Sequence, residues 1–588
     1  MTFENENALY ATEDPKSFEK WVPLIKKYTD DLTKQCKEYD SEFYSKVLAT
    51  VAPETSLDSQ AINALEYLPK LLSKEELAIV SEYDIATLLE KQKTKKLSAL
   101  DITNAYIKAA IVSHISTNCI MQFLIPEALE TAKKLDLYLK ENNNELYGPF
   151  HGIPISLKEQ INYKGKITTA SYVQYLTNIP EQSGVTVQIL EKMGAVFHCR
   201  TSQPQAIMHL DTWNNIIGRT RNPLSTKLSS GGSSGGESSC IASHASVLGI
   251  GSDIGGSIRA PAAFTNLYGL KPTTRRISLM NGLSGGKGQE SIVACQGPLA
   301  RSIEELDYLM ESYINNGQPW NYDPLCVPVP WKDTSVDSLT KGGKKPLRIG
   351  VLFEDELVTP FPAITRGINH TIETLTKAFP GEFEFVDLKK HWYTEEEMKK
   401  IYNNNVTLYT VDGNKVQMSM FKESGEPILP LTRHFFEFGG GLEHSIYENK
   451  MLNYQRDTLK VEMHEKFFNG LNLDFILSPT YPAPAEKAAN SLYWGYTSFW
   501  NMLDYPNVVF PTGISHDPEL DVINEEMKFK SNNYEKMVWF DKSGKIRYDP
   551  MDYVGGPVAL QLTAKRFEDE RIVACIKKWN QALKVERR

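Results

Sequence analysis

The feature that most constrains the fold is an alternation, from residue 148 onward, of short apolar runs with segments of helical pattern. Short apolar runs bounded by turn residues are typical of buried strands, whereas apolar residues three or four positions apart are typical of helices. Strands and helices that alternate predict an α/β fold, in which helices cover both faces of the sheet. We predict strands at residues 152–157, 195–199, 247–250, 347–352, 475–479 and 508–511, and a helix at 186–192.

The segment before this alternation is predicted to be helical from about residue 15 to residue 142. Residues 73–76 have the form of a capping box, and residues 98–101 have an acidic variant of it, each ahead of an apolar periodic run. We expect this segment to pack on the main domain as a helical layer. An independent interaction module is the less favoured alternative.

The domain organisation follows from these patterns. An N-terminal helical extension is predicted over residues 1–75, and one large domain over residues 76–588. Within that domain, prolines and glycines predict a surface connection at about 317–346. A mostly helical segment is predicted at about 364–470.

Composition excludes several classes of partner and site. The chain has 64 basic and 73 acidic residues, a net charge of −9 and no long Lys/Arg run, so a nucleic-acid partner is not expected. The seven scattered cysteines form no C-x-x-C pair, which favours buried free thiols over a zinc site or a disulfide framework. No apolar stretch of about 18 residues predicts a transmembrane helix. Residues 1–6 lack the apolar region of a secretory signal, and a cytoplasmic protein is therefore expected.

Three separated segments carry residues suited to amide hydrolysis. An amide is a poor electrophile, so its hydrolysis needs an activated nucleophile, a polarised carbonyl and a proton for the departing nitrogen. Lys158 follows the first predicted strand, and Ser233 lies in Gly-Gly-Ser-Ser-Gly-Gly at residues 231–236. Ser257 comes 24 positions after Ser233, in Asp-Ile-Gly-Gly-Ser-Ile-Arg at residues 253–259.

Each of these residues has a chemical role that fits its surroundings. Ser257 is the candidate nucleophile, and Lys158 is the candidate base, since burial lowers the pKa of a lysine. Ser233 would pass the proton of Ser257 to Lys158 and later return it to the leaving amine. Glycines let backbone N–H groups approach a substrate oxygen closely. The candidate oxyanion hole consists of the N–H groups of Ile254, Gly255, Gly256 and Ser257.

Other motifs compete with this interpretation. Residues 231–235 match the α/β-hydrolase elbow G-x-S-x-G, which would make Ser233 the nucleophile, but that elbow must follow a strand and residues 222–227 are polar. The glycines at 251–256 lack the spacing of a dinucleotide fingerprint, and the sequence has no P-loop motif. His244 lies near both clusters, and we interpret it as a structural histidine.

Together the three segments resemble the amidase signature family, whose members cut carboxamides with a Ser-Ser-Lys triad. The resemblance extends from about residue 75 to near the C-terminus. It implies a large mixed β-sheet covered by helices, and neither a metal nor an organic cofactor. It also implies that Ser257 carries the acyl group, that Ser233 bridges and that Lys158 is the base. A cis peptide is implied between Gly232 and Ser233.

The resemblance implies further site residues as well. Ser234 would be a supporting hydrogen-bonding residue, while Asp253 and Arg259 would brace the nucleophile loop. Ile207 and Met208 fall where relatives line the acyl pocket. Two later segments, within residues 493–506 and 556–562, resemble the acetamidase-like branch of fungal general amidases.

The leading functional hypothesis is hydrolysis of small-molecule carboxylic amides to the acid and ammonia or an amine. The alternatives are a fatty-acid amide hydrolase with a long acyl channel, a subunit of a tRNA-dependent amidotransferase, and a non-catalytic binding protein. Homodimer formation is left open. An aromatic cluster predicts a pocket for short or compact acyl groups if its rings line the cleft, and otherwise belongs to the core. Its members are Tyr493, Trp494, Tyr496, Phe499 and Trp500.

Overall fold

The computed structural model describes residues 12–340, 346–525 and 527–585 of the chain. Residues 1–6, which are predicted not to form a secretory signal, lie outside the described residues, and so does the Gly-Gly-Lys-Lys stretch at 342–345. The strands, numbered in chain order, are β1 Ile120–Phe123, β2 Ile153–Lys158, β3 Ala195–Thr201, β4 Trp213–Asn214, β5 Gly218–Arg219, β6 Leu248–Asp253, β7 Tyr268–Lys271, β8 Cys295–Ala300, β9 Leu347–Val351, β10 Phe383–Asp387, β11 Phe475–Pro479, β12 Asn507–Ser515 and β13 Pro557–Thr563.

The α-helices are numbered in the same way. They are α1 Pro15–Glu19, α2 Val22–Tyr39, α3 Ser41–Thr50, α4 Glu54–Ser59, α5 Leu68–Leu71, α6 Lys74–Ser81, α7 Ile85–Lys93, α8 Ala99–Thr117, α9 Ile125–Glu141, α10 Val185–Lys192, α11 Gly235–Ala242, α12 Arg259–Phe264, α13 Ile303–Glu311, α14 Pro362–Ala378, α15 Glu395–Leu408, α16 Lys415–Ser419, α17 Pro430–Phe436, α18 Ile446–Met463, α19 Gly495–Leu503, α20 Asn533–Trp539 and α21 Asp569–Leu583. Shorter helical turns of 3-10 or π type occupy Ala64–Tyr67, Val173–Tyr175, Gln205–Ile207, Ser312–Asn316, Pro319–Asn321, Val336–Thr340, Phe438–Gly441, His464–Gly470 and Pro550–Tyr553.

Eleven of the described strands form one mixed sheet in the order β1-β3-β2-β6-β8-β7-β12-β13-β11-β9-β10, and β4 pairs with β5. Neighbours are parallel from β3 through β2 to β6 and from β11 through β9 to β10. The other neighbours are antiparallel. The predicted α/β fold with a large mixed sheet is confirmed.

Both faces of this sheet are buried. Successive side chains of a strand point to opposite faces, and here they enter two separate hydrophobic clusters. Val508 of β12 and Leu477 of β11 belong to one cluster, whereas their neighbours Val509 and Ile476 belong to the other. Because apolar residues occupy both faces, helices must cover both, as the sequence predicts.

The front segment is helical with one exception. Ser73 and Ser98 form the predicted capping boxes at the starts of α6 and α8. The exception is β1, which lies antiparallel to β3 at the edge of the sheet. A four-residue apolar segment between two helices carries no strand signal of its own, and its pairing with β3 decides its conformation. The prediction of helices from about 15 to 142 therefore misses β1, and β10 is a strand within the segment 364–470 that is predicted to be mostly helical.

The parallel strands β2, β3 and β6 position the candidate site. Lys158, Thr201 and Asp253 are the last residues of these three strands. Because neighbouring parallel strands end at the same edge of a sheet, these three side chains lie close together. Ligand sites of open α/β sheets occur at this carboxyl edge.

Candidate active site

Lys158 is buried at the end of β2 and contacts two serines. The alternation along β2 explains its direction: Leu157 enters the apolar core, while Ser156 and Lys158 point to the opposite face. The Lys158 Nζ atom lies 2.6 Å from Ser233 Oγ and 3.0 Å from Ser252 Oγ. Both distances are those of hydrogen bonds.

The surroundings of Lys158 favour its neutral form. Burial lowers the pKa of Lys158 to about 7, and the negative charges of Asp253 and Glu237 oppose this effect without cancelling it. At an ordinary lysine pKa, only about one amine in a few thousand is neutral at pH 7. At a pKa of about 7, roughly half are neutral. Lys158 can therefore accept a proton near neutral pH.

Ser233 lies in the loop that leads into α11, and only 1% of the residue is exposed. The peptide bond between Gly232 and Ser233 is cis, as the resemblance implies. A Cβ atom at Gly232 would come within 2.6 Å of backbone atoms of His209 and Asp211. Only glycine fits at this position, which explains why the residue before Ser233 has no side chain.

Ser257 lies in the loop between β6 and α12, and the Asp253 carboxylate holds this loop in shape. The carboxylate accepts hydrogen bonds from Gly256 N–H at 2.8 Å and from Ile258 N–H at 3.0 Å. Arg259 pairs with it at 3.1 Å, and both side chains are fully buried. Burial raises the pKa of Asp253, but the charge of Arg259 and the hydrogen bonds outweigh burial and hold that pKa well below its ordinary value. Asp253 is therefore ionised throughout the neutral pH range.

Ser234 joins the two serine loops. Its N–H donates to the carbonyl of Ser257 at 3.1 Å, and its hydroxyl donates to the carbonyl of Ser252 at 3.2 Å. Ser234 is itself completely buried. The loops of Ser233 and Ser257 are therefore held at a fixed separation.

The four N–H groups predicted as an oxyanion hole differ in their partners. The N–H of Gly256 already donates to Asp253. Within the residues that the structure describes, the N–H groups of Ile254, Gly255 and Ser257 have no hydrogen-bond acceptor. Of these three residues, Ile254 and Ser257 line the cavity beside Ser233, and Gly255 does not.

A cavity of about 100 Å³ is lined by Ser233 and Ser257 together with Ile207 and Met208. Ile207 and its neighbour Ala206 both adopt left-handed backbone conformations, with φ of 61° and 62°. Such a conformation costs a β-branched residue about 1–3 kcal/mol, and strain of this kind clusters at functional sites. The backbone at Ile207 is therefore fixed by its surroundings against its own preference.

A second cavity of about 320 Å³ adjoins the first. Its lining includes the apolar side chains of Met280, Val293 and Leu325. Arg275 and Glu290 also line it, and they form an ion pair at 3.1 Å. The residues that line both cavities are Ile254, Leu279, Ser284, Gly286, Gln289 and Ala294. The two cavities therefore share part of their walls.

The aromatic cluster lies behind the nucleophile loop and outside the cavity. Its five rings are buried in the core, and none is among the described residues that line the inner cavity. The same segment supports the nucleophile loop through Thr497. The Thr497 hydroxyl donates to the carbonyl of Gly255 at 2.7 Å, and the Thr497 carbonyl accepts from the guanidinium of Arg259 at 3.0 Å. The prediction that these rings shorten the acyl cleft is wrong, and the core alternative is confirmed.

Sequence reasoning missed two residues beside Lys158. Ser252 is its second hydroxyl contact, and Glu237 contributes a buried carboxylate from α11. For Ser252, the available signal was its place next to Asp253 at the end of a strand. For Glu237 there was no such signal, because an acidic residue in the first turn of a helix is ordinarily a solvent-exposed cap.

Other sequence predictions concern metals, thiols and membranes. All seven cysteines are free thiols and buried, as predicted. In residues 12–340, 346–525 and 527–585, no group of three or more His, Cys, Asp or Glu side chains is placed to hold a metal ion. Over the same ranges, every helix is too short or too polar to cross a membrane.

Sequence comparisons agree with this geometry. A family model described as Amidase matches residues 101–573. A Schizosaccharomyces pombe protein whose name assigns it to the amidases is 38% identical over 510 residues, 86% of this chain and 91% of that protein. An acetamidase of Emericella nidulans is 34% identical over 512 residues, 86% of this chain and 89% of the acetamidase.

Structural comparisons extend the likeness to nearly the whole chain. The solved structure of a fatty acid amide hydrolase has a TM-score of 0.90 and 39% identity, over 99% of this chain and 98% of that chain. A bacterial aryl acylamidase shares the fold, with a TM-score of 0.64 and 19% identity over 86% of this chain and 98% of its own.

Proposed function

Because this chain belongs to the amidase signature family of amide hydrolases, we propose that it cuts carboxylic acid amides through an acyl-enzyme on Ser257. Ser257 Oγ attacks the carbonyl carbon and gives its proton to Ser233, while Ser233 gives its own proton to Lys158. The C–N bond then breaks as the proton returns through Ser233 to the departing nitrogen. Water cleaves the resulting ester by the same relay and releases the acid.

The observation that carries this proposal is the 2.6 Å contact between Lys158 Nζ and Ser233 Oγ. A lysine can take a proton from a hydroxyl only when its amine is neutral and within hydrogen-bond distance. Lys158 meets both conditions, since burial lowers its pKa to about 7. Ser257 lines the same cavity as Ser233, which supports its role as the nucleophile.

The negative oxygen of the tetrahedral intermediate needs hydrogen-bond donors. The free N–H groups of Ile254, Gly255 and Ser257 fit this need, and Gly256 instead acts by fixing the loop through Asp253. Loss of one such donor typically raises the barrier by about 2.7–4 kcal/mol. Ile207, which lines the inner cavity, would contact the substrate.

Ammonia release from acetamide, benzamide and oleamide tests the proposal. The Ser257→Ala, Ser233→Ala and Lys158→Ala variants should each lose several orders of magnitude in kcat, because members of a coupled triad fail nearly as a unit. Ser238→Ala is the matched control, since its hydroxyl is also buried but donates to the Ser230 carbonyl at 2.9 Å. Full activity of Ser257→Ala would overturn the proposal.

A second candidate, hydrolysis of fatty-acid amides, is favoured by one specific observation. The larger cavity that adjoins the inner one has several apolar side chains beside the Arg275–Glu290 pair, against which a long chain could pack. The likeness to a fatty acid amide hydrolase, at 39% identity, supports the same candidate. Both candidates use the same triad and differ only in the chain length of the substrate.

A further inference from the structure

Glu237 is a completely buried carboxylate that the triad does not use. It lies in the first turn of α11, three residues after Ser234, and points toward the sheet. The hydroxyls of Ser156 and Thr201 each donate to one of its carboxylate oxygens at 2.6 Å. Two charge-assisted hydrogen bonds of this length hold the carboxylate in one position.

Three neighbouring strands shape the site that Glu237 occupies. Ser156 lies two residues before Lys158 and therefore on the same face of β2. Thr201 lies opposite Lys158 in the register of β2 and β3. On the other side, β6 has Gly249 opposite Ser156, and a Cβ atom there would overlap Glu237 Oε2. The sheet thus leaves a space for a carboxylate on the face of β2 that also carries Lys158.

We propose, on the basis of the function above, that Glu237 is a positioning residue that holds the β2 and β3 ends around Lys158 and balances the charge of its ammonium form. When Lys158 accepts the proton from Ser233, a buried positive charge appears far from water. A fixed carboxylate near it stabilises that state, and Glu237 itself neither gains nor loses a bond in the step.

Asp253 also favours the ammonium form of Lys158, but it shares its charge with Arg259 in a buried pair, whereas no cation forms an ion pair with Glu237 among the described residues. On β3, burial lowers the pKa of His198 to about 4, so its ring is neutral. Burial also raises the pKa of the Cys199 thiol, and the pKa of Cys240 lies well above its ordinary value, so both thiols facing Glu237 are uncharged.

The charge of Glu237 itself depends on its partners. Burial raises the pKa of Glu237 to about 7. The hydrogen bonds from Ser156 and Thr201 and the positive charge of Lys158 lower the pKa and partly oppose burial. The carboxylate form is therefore favoured when Lys158 is protonated. The two groups titrate as a coupled pair, and removal of one changes the titration of the other.

The Glu237→Gln variant tests the inference, because it keeps the shape of the side chain and removes its charge. A negative charge near an amine favours the ammonium, so its removal lowers the pKa of Lys158. The midpoint of the kcat/KM profile, measured on acetamide from pH 5 to 9, should move to lower pH by about 0.5–1 unit. A purely structural Glu237 would reduce the rate equally at every pH and leave the midpoint unchanged, which would overturn the inference.

Two further variants complete the experiment. Ser156→Ala removes one hydrogen-bond donor to the Glu237 carboxylate, which raises the pKa of Glu237. The midpoint of the kcat/KM profile should therefore move to lower pH, by less than in Glu237→Gln. This variant tests the inference if Glu237→Gln does not fold. Asp355→Asn is the control, because it also removes a buried carboxylate, but one that contacts Tyr493. Its midpoint should equal that of the wild type, and an equal shift in it would contradict the inference.

The same data separate this inference from the proposed function. If the wild-type profile has no midpoint between pH 5 and 9, the role of Lys158 as base fails. If the wild type has that midpoint and neither Glu237→Gln nor Ser156→Ala moves it, only the role of Glu237 fails.

Discussion

The amine of Lys158 lies 2.6 Å from the hydroxyl of Ser233, and both groups are buried where the central parallel strands end. This contact links two segments that are 75 residues apart in the sequence. It also places the proposed base out of water, in surroundings that lower its pKa. From this geometry we expect the reaction rate to depend on pH.

The first prediction is that kcat/KM rises with pH. Lys158 must lose its proton to act as a base, and burial lowers its pKa to about 7. The rate should be low at pH 5, rise through a midpoint near the pKa of Lys158, and level off above it. Initial rates on acetamide at constant ionic strength measure this profile. A flat profile from pH 6 to 9 would show that no such base takes part.

The second prediction concerns the pair of Asp253 and Arg259. Asp253→Asn leaves the guanidinium buried without its counter-charge, so the free energy of unfolding should fall by about 3–5 kcal/mol. Urea unfolding at pH 7 measures this loss. The exposed pair Lys26 and Asp30 provides the control, and Asp30→Asn should cost less than about 1 kcal/mol. Equal losses in the two variants would contradict the role assigned to the buried pair.

The pair also predicts how stability depends on pH. The pKa of Asp253 is lowered in the folded protein, so its contribution to stability is fully present above the pKa of an unfolded aspartate, about 3.9. It is lost as the pH falls below that value. The stability advantage of the wild type over Asp253→Asn should therefore be constant at neutral pH and begin to shrink below about pH 3.9, as measured by urea unfolding between pH 3 and 7. A constant difference over this range would contradict the linkage.

The third prediction is that longer acyl chains improve the substrate. Each buried CH₂ contributes about 0.8 kcal/mol, so kcat/KM should rise from acetamide through butyramide to hexanamide as the chain enters the outer cavity. Leu279 lines both cavities, and Leu279→Trp should reduce kcat/KM for hexanamide by more than about tenfold while sparing acetamide. Leu137→Trp, on the exposed face of α9, is the control. If acetamide remains the best substrate, the outer cavity does not bind the acyl chain and the fatty-acid amide candidate is contradicted.

The sequence correctly predicts the strands and helices whose local residue pattern favours the same conformation as their packing in the fold. β2 carries an apolar run that ends in Lys158, and the capping boxes at Ser73 and Ser98 mark the starts of their helices. The strands β1 and β10 were missed, because each is short and its pairing partner lies far away in the chain. Pairing across a sheet is a tertiary effect that a local pattern does not contain.

The same distinction holds within the candidate site. Ser233, Ser257 and Lys158 stand in motifs that can be recognised by spacing, and the structure brings Lys158 and Ser233 into contact. The occupied N–H of Gly256 follows only from the folded loop, in which the Asp253 carboxylate turns back on the backbone. The position of Glu237 likewise follows only from how α11 packs on three strands. Spacing therefore predicts the candidate reactive residues, and packing determines what surrounds them.

The most direct test of the account is to identify the residue that becomes acylated. A fluorophosphonate reacts with an activated serine and leaves a stable adduct, which peptide mapping by mass spectrometry can place on one residue. The account predicts a single adduct on the peptide that contains Ser257, and loss of labelling in Lys158→Ala because the nucleophile is then no longer activated. An adduct on Ser233 would contradict the account and would assign the nucleophile to the loop of residues 231–236.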